Sequence, residues 1–127
     1  MRIVVAPDKF RGSLSALDAA EAMAEAVEAR GWTALKGPMS DGGDGFLEVL
    51  GGANRTSTVT GPLGDPVEAG WRLSRKRAVL EMASASGLAL VGGAEGNEPL
   101  AADTTGVGEL IAAALDAGAR SIVIGMG

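Results

Sequence analysis

Four times along this chain a short apolar run that reads as a strand is followed at once by a polar, glycine-bearing loop. Arg2 to Ala6, a β-branched run closed by Pro7, leads into Asp8-Lys9-Phe10-Arg11-Gly12-Ser13. Thr33 to Met39, a weaker strand, leads into Asp41-Gly42-Gly43-Asp44-Gly45 and then a short helix. Arg77 to Met82 leads into Ser84-Ala85-Ser86-Gly87, and Ser121 to Ile124 into Gly125-Met126-Gly127. In an open parallel sheet, ligands bind outside the carboxyl ends of the strands, so loops in this register converge on one rim. The first of these strands reads as fully buried and the last as a buried strand.

Helices fit between the strands. Leu17, Ala20, Met23, Ala24 and Val27 fall at helical spacing, with Ser13 or Ser15 as N-cap and Gly31 as the stop. A later helix is predicted over Val107 to Ala117, capped by Thr104 or Thr105, with Leu110, Ile111, Ala114 and Leu115 on one face. In the middle, Asn54 to Thr60, Val67 to Leu73 and Arg77 to Met82 are short runs separated by turn chemistry, which predicts an antiparallel meander. The expected fold class is α/β: a mostly parallel sheet built from 1–53 and 84–127, with a short antiparallel meander over 54–83. The chain stops straight after an apolar strand on a glycine turn, which leaves a β-to-α connection unfinished, so a fragment is expected.

Composition narrows the chemistry. Gly (20) and Ala (23) supply a third of the 127 residues while aromatics are 3%, so the core depends on close backbone approach and aliphatic packing. With no His, Cys or Tyr, the segment holds no imidazole or thiolate nucleophile, no Cys/His metal cluster and no Ser-His-Asp triad. A net charge of −5 disfavours nucleic acid as the main partner. The one basic run, Arg72-x-x-Arg75-Lys76-Arg77, fits a solvated hairpin tip. No apolar stretch approaches the ~18 residues that cross a bilayer, and the N-terminal apolar run is too short for a signal peptide. The expected location is the cytoplasm, which a cysteine-free chain suits.

Two loops carry the sharper signals. A Gly-Ser step into a helix start, flanked by Lys9 and Arg11, reads either as an anion site for a carboxylate or phosphate or as an ordinary N-cap. Three glycines among Asp41–Gly45 cost entropy on ordering, which makes sense if a ligand or metal must approach the backbone. Asp41 and Asp44 can sit near a hydrated Mg²⁺, which takes one or two carboxylates plus phosphate oxygens. The bland alternative is a tight turn with Asp44 as N-cap. No EF-hand spacing and no Walker-type loop is present. Glu81, inside an apolar strand, is paired, at an edge, or functional.

Taken in order, MRIVVAPDKFRGSLSAL, PMSDGGDGF, TVTGPLGDPVEA, EMASASGLAL, NEPLAADTTGVGELI and IVIGMG resemble the N-terminal portion of bacterial glycerate kinases of the two-domain, glyoxylate-pathway type. The likeness runs through nearly all 127 positions. It implies two α/β domains, one Rossmann-like, with the active site in the cleft between them, and residues 1–127 as part of that incomplete fold. It also implies ATP-dependent, Mg²⁺-assisted phosphorylation of D-glycerate. On that resemblance Asp8, Asp41 and Asp44 are candidate base or Mg²⁺-linked carboxylates, with Asp41 and Asp44 as metal residues. Lys9, Arg11, Gly12 and Ser13 are assigned to substrate carboxylate or phosphate, and Gly42, Gly43, Ser84, Ser86 and Gly87 line the same cleft. Lys9, Arg11, Asp44 and Phe46 depart from the usual small polar residue, Lys, Glu and Thr; the first three keep or add charge, whereas Phe46 loses a hydroxyl. Two alternatives stand beside this reading: a non-catalytic or truncated lobe that binds a small anion, and a kinase for another small hydroxy acid.

Overall fold

In the computed structural model, which describes residues 1–127, the chain divides between Asp41 and Gly42 into two units, each with its own sheet. In the first, β1 (Arg2–Val5) and β2 (Thr33–Lys36) pair in parallel, with Arg2 opposite Thr33 and Val5 opposite Lys36. Helix α1 (Ala16–Glu28) connects them and packs on both strands. Of the two possible caps it is Ser15 that acts: its Oγ accepts the Asp18 N–H at 3.1 Å and donates to Asp18 Oδ2 at 2.8 Å. One orphan N–H of the first turn is thereby satisfied, and the hydroxyl proton is taken by the Asp18 carboxylate. Gly31, at φ +71°, closes the far end by donating to the Glu28 carbonyl.

Burial in this unit differs from the expectation. The buried stripe of α1 is Ala16, Ala19, Ala20 and Ala24, whereas Leu17 and Met23 stay about 40% exposed. Alanine, with its short side chain, lets the helix axis approach a two-stranded sheet closely. Strand β1 is not fully buried either: Val5 is at 5% but Val4 at 69%, because one helix covers one face of a two-stranded sheet.

The second unit opens with a one-turn helix, α2 (Phe46–Val49), and then forms a four-stranded sheet in the order β3 (Arg55–Thr60), β4 (Pro66–Ser74), β5 (Arg77–Glu81), β6 (Ser121–Gly125). The predicted meander is β3–β4–β5, all antiparallel, and β6 then pairs parallel to β5. The α/β class with parallel and antiparallel pairing is as expected. The meander, however, is not a piece set apart from the parallel strands: β5 belongs to both. Residues Ala83–Ser86 (α3) and Thr105–Asp116 (α4) supply the helices between β5 and β6. They cover one sheet face over Val59, Ala69, Trp71, Ala78 and Leu80, with Leu110 and Ala114 of α4 fully buried against them. Leu115, placed on that face by periodicity, is 56% exposed. Strand β6 alternates rather than being buried throughout.

The start of α4 shows how small residues set the packing. Thr104 makes no side-chain cap; Asp103 Oδ1 accepts the Thr105 N–H at 2.8 Å instead. That hydrogen bond holds the Asp103 carboxyl below the usual carboxylate range. Its contribution to stability is therefore present above the ordinary carboxylate pKa and is lost as pH falls through the lowered one. One residue into the helix, a Cβ on Gly106 would lie 2.1 Å from the Thr60 carbonyl oxygen, whereas one on Gly108 meets nothing within 4 Å. Two alanine substitutions in one helical turn should thus move thermal stability in opposite directions. Gly106→Ala costs about 2 kcal/mol by overpacking, and Gly108→Ala adds about 0.5–1 kcal/mol through helix propensity. Calorimetric melts of the two variants check the pair of signs.

Candidate functional site

In the first unit, the loops leaving β1 and β2 meet at the carboxyl ends of their parallel strands. The Met39 N–H donates to the Pro7 carbonyl at 2.9 Å, tying the two loops together. Beyond it the Asp41 N–H donates to Asp8 Oδ2 at 3.2 Å, and Lys9 Nζ stands 3.8 Å from Asp41 Oδ1. The Lys9 side chain is 26% exposed and that of Asp41 63%. Asp8 also turns its other oxygen back to the Lys9 N–H. Two carboxylates and one ammonium are therefore gathered where the loops leaving β1 and β2 meet.

The rest of the first loop departs from the expectation. Ser13 is not a helix-start amide open to an anion: its N–H and Oγ both donate to the Phe10 carbonyl, at 2.9 and 3.1 Å, and the Leu14 N–H joins them there. The helix begins at Ala16, so Phe10–Leu14 closes as its own small turn. Gly12, at φ +77°, lets that turn reverse, and Arg11 is exposed on it.

In the second unit, glycine packs on glycine at the carboxyl end of β6. A Cβ on Gly125 would lie 2.6 Å from the Gly42 carbonyl oxygen and 2.4 Å from Phe46 Cδ1. One on Gly127 would lie 3.0 Å from Gly43 Cα, and one on Gly42 would lie 3.2 Å from the N atoms of Met126 and Gly127. Two backbone turns lie against each other with no side chain between them, which is why glycine occupies both. Phe46 supplies an aromatic wall over Gly125, a packing role that needs no hydroxyl. The sequence read both turns onto one rim but did not foresee this contact; recurrent glycine at two strand ends was the available signal.

Glu81 ends β5 at 8% exposure, and its Oε2 accepts the Leu47 N–H at 2.8 Å. Helix α2 has Gly45 at its N-cap, with φ +91° and no side-chain cap, so a carboxylate from a neighbouring strand does that work. Of the readings left open for Glu81, pairing is what the geometry gives, and it pins the segment that carries Gly42–Gly45. Asp44 is exposed and precedes the cap rather than being it. The Met82 N–H donates to the Gly125 carbonyl, so α3 starts beside the end of β6. Within α3 and its exit, Ser84 is half-buried, Ser86 Oγ is buried without a hydrogen-bond partner, and Gly87 leaves no room for a Cβ, 2.4 Å from the Ala83 carbonyl oxygen.

The donors at these strand ends are hard carboxylate oxygens, of the kind Mg²⁺ takes in ones or twos beside phosphate oxygens and water; no group of three or more His, Cys, Asp or Glu gathers that could hold a metal ion.

Fold and site together define an α/β protein with polar glycine loops, carboxylates and a cation at the carboxyl ends of parallel strands. The family model for the glycerate kinase family matches residues 3–127, and the chain belongs to that family. It is 47% identical to glycerate kinase of Bacillus subtilis (strain 168) and 44% identical to glycerate 2-kinase of Escherichia coli (strain K12), with all of the chain covered in each case. A crystal structure assigned to glycerate kinase 2 of Salmonella typhimurium LT2 superposes with a TM-score of 0.76 at 42% identity, covering 100% of this chain and 36% of the other. The chain spans 35% of the length of those curated relatives. No helix is long and apolar enough to cross a membrane.

Proposed function

We propose that the intact protein transfers the γ-phosphoryl group of ATP to a hydroxyl of D-glycerate. The observation that carries this reading is the cluster of Asp8, Lys9 and Asp41 at the carboxyl ends of β1 and β2, with Lys9 Nζ 3.8 Å from Asp41 Oδ1. Phosphoryl transfer asks a protein mainly for positioning and charge neutralisation. The substrate hydroxyl oxygen attacks the γ-phosphorus, the bond to ADP breaks, and the hydroxyl proton leaves to a carboxylate. Asp8 or Asp41 takes that proton. Lys9 and Arg11 draw in the glycerate carboxylate, and Gly42, Gly43, Ser84, Ser86 and Gly87 are assigned to substrate binding on the family resemblance. Mg²⁺, held through Asp41 and Asp44, supplies charge neutralisation on the nucleotide phosphates when bound. The names of the relatives support glycerate as the acceptor. The reaction belongs in the cytoplasm on this reading.

A coupled assay of ADP release by the intact protein, run over a panel of small hydroxy acids and sugar acids, tests the acceptor. D-glycerate should give the highest kcat/KM. ADP release with glycerate no faster than with buffer, alongside turnover of a sugar acid, would replace the substrate. No turnover of any acid would leave the small-anion-binding lobe as the better account.

A further inference from the structure

At the opposite end of β5 and β6 from the glycine turns, the second unit has a groove of about 960 Å³ whose charged lining is entirely cationic: Arg72, Arg75, Lys76, Arg77 and Arg120. The sequence shows four of these as one run and gives no reason to add the fifth. Chain geometry adds it, because the Lys76 carbonyl accepts the N–H groups of both Arg120 and Ser121, at 2.7 and 3.1 Å, locking the approach to β6 against the β4–β5 hairpin tip. None of Arg75, Lys76, Arg77 or Arg120 makes an ion pair, unlike Lys9, which faces Asp41, and Lys36, which faces Glu21. Five of the 11 basic residues of a chain with net charge −5 thus surround one groove with no counter-charge. Mutual repulsion at that density is relieved by a bound anion.

Two further details point the same way. Arg75, at φ +55°, is the chain's only non-glycine residue with positive φ, at a hairpin tip where glycine would sit without strain. A cationic side chain stands there against backbone preference. Arg72 is pre-positioned, its Nη1 donating to the Gly51 and Gly52 carbonyls at 2.7 and 3.1 Å. Leu50, Val79 and Val123 give the groove an apolar floor, and its volume is that of a small-molecule site rather than of a single ion. We propose that this groove binds a small molecule carrying two or more clustered phosphate groups, at a site separate from the strand-end loops assigned to catalysis. The proposal does not depend on the acceptor or on the activity.

Inorganic tripolyphosphate is the probe, titrated into the intact protein by calorimetry at fixed ionic strength, with hydrogen-exchange mass spectrometry to locate it. Saturable binding should protect peptides spanning 72–79 and 118–123. Arg120→Ala and Arg75→Gly should each weaken that binding about tenfold. Arg75→Gly should melt no lower than the parent, since it relieves the positive φ, so weakened binding cannot be put down to misfolding. Protection confined to 8–13 and 41–45, equal protection by sulfate or by an acidic peptide, or unchanged affinity in both variants overturns the proposal and leaves a solvated hairpin tip.

Discussion

Gly125→Ala should cost the protein about 3 kcal/mol of stability, the upper end of overpacking, and at least about a hundredfold in turnover at temperatures where it remains folded. The added methyl would face two walls at once, the Phe46 ring at 2.4 Å and the Gly42 carbonyl oxygen at 2.6 Å. The ring can swing; the carbonyl belongs to a turn that Glu81 fixes through Leu47. Relief therefore comes from lifting the Gly42–Gly43 turn off β6, which on the proposed reading displaces backbone that serves phosphoryl transfer. Phe46→Leu separates the two walls. In the Gly125→Ala background it should recover part of the stability but little of the turnover, because the carbonyl contact remains. Thermal melts with steady-state kinetics on the three variants read both effects. Full turnover in Gly125→Ala would show that the glycine contact serves packing alone.

Asp8→Asn and Asp41→Asn are expected to lower kcat by about 10²- to 10⁴-fold, the range for losing a positioned acid–base or charge-bearing group. Asparagine keeps the size and the acceptor oxygen, so the Asp41 N–H retains its partner on residue 8 and the loop pair should stay folded. What is lost is the negative charge. Asp41→Asn also removes the charge facing Lys9. If Lys9 recognises the glycerate carboxylate, this variant should change KM for glycerate as well, whereas Asp8→Asn should act on kcat. Asp44→Asn should raise the Mg²⁺ concentration needed for half-maximal rate. Near-normal rates for all three would remove the carboxylates from the mechanism.

Much of this fold is legible from local chemistry. The bounds of the β3–β4–β5 meander follow turn residues that no strand accommodates, such as Gly61, where a Cβ would lie 2.7 Å from the Asp65 carbonyl oxygen. The alternation of strand and glycine loop likewise identifies which loops leave β1, β2, β5 and β6. What pattern alone misses is set by tertiary contact. Leu17 and Met23 look like core by periodicity, yet the close helix–sheet approach selects Ala16, Ala19, Ala20 and Ala24. Ser13 looks like a cap with an open amide, but the Phe10 carbonyl captures it before the helix begins. Arg120 lies 43 positions after Arg77 and joins the basic run only because β6 pairs in parallel with β5. Phe46 reads as a lost hydroxyl in a linear comparison, and only its position over Gly125 gives it a packing role.

The central assignment is that Lys9 meets the substrate, and amine-reactive labelling of the intact protein probes it at the side chain itself. The chain's three lysines, Lys9, Lys36 and Lys76, report independently by mass spectrometry. Saturating D-glycerate should slow modification of Lys9 at least about tenfold and leave Lys36, paired with Glu21 on the α1 surface, unchanged. Equal labelling of Lys9 with and without glycerate, at concentrations that saturate turnover, would contradict the account.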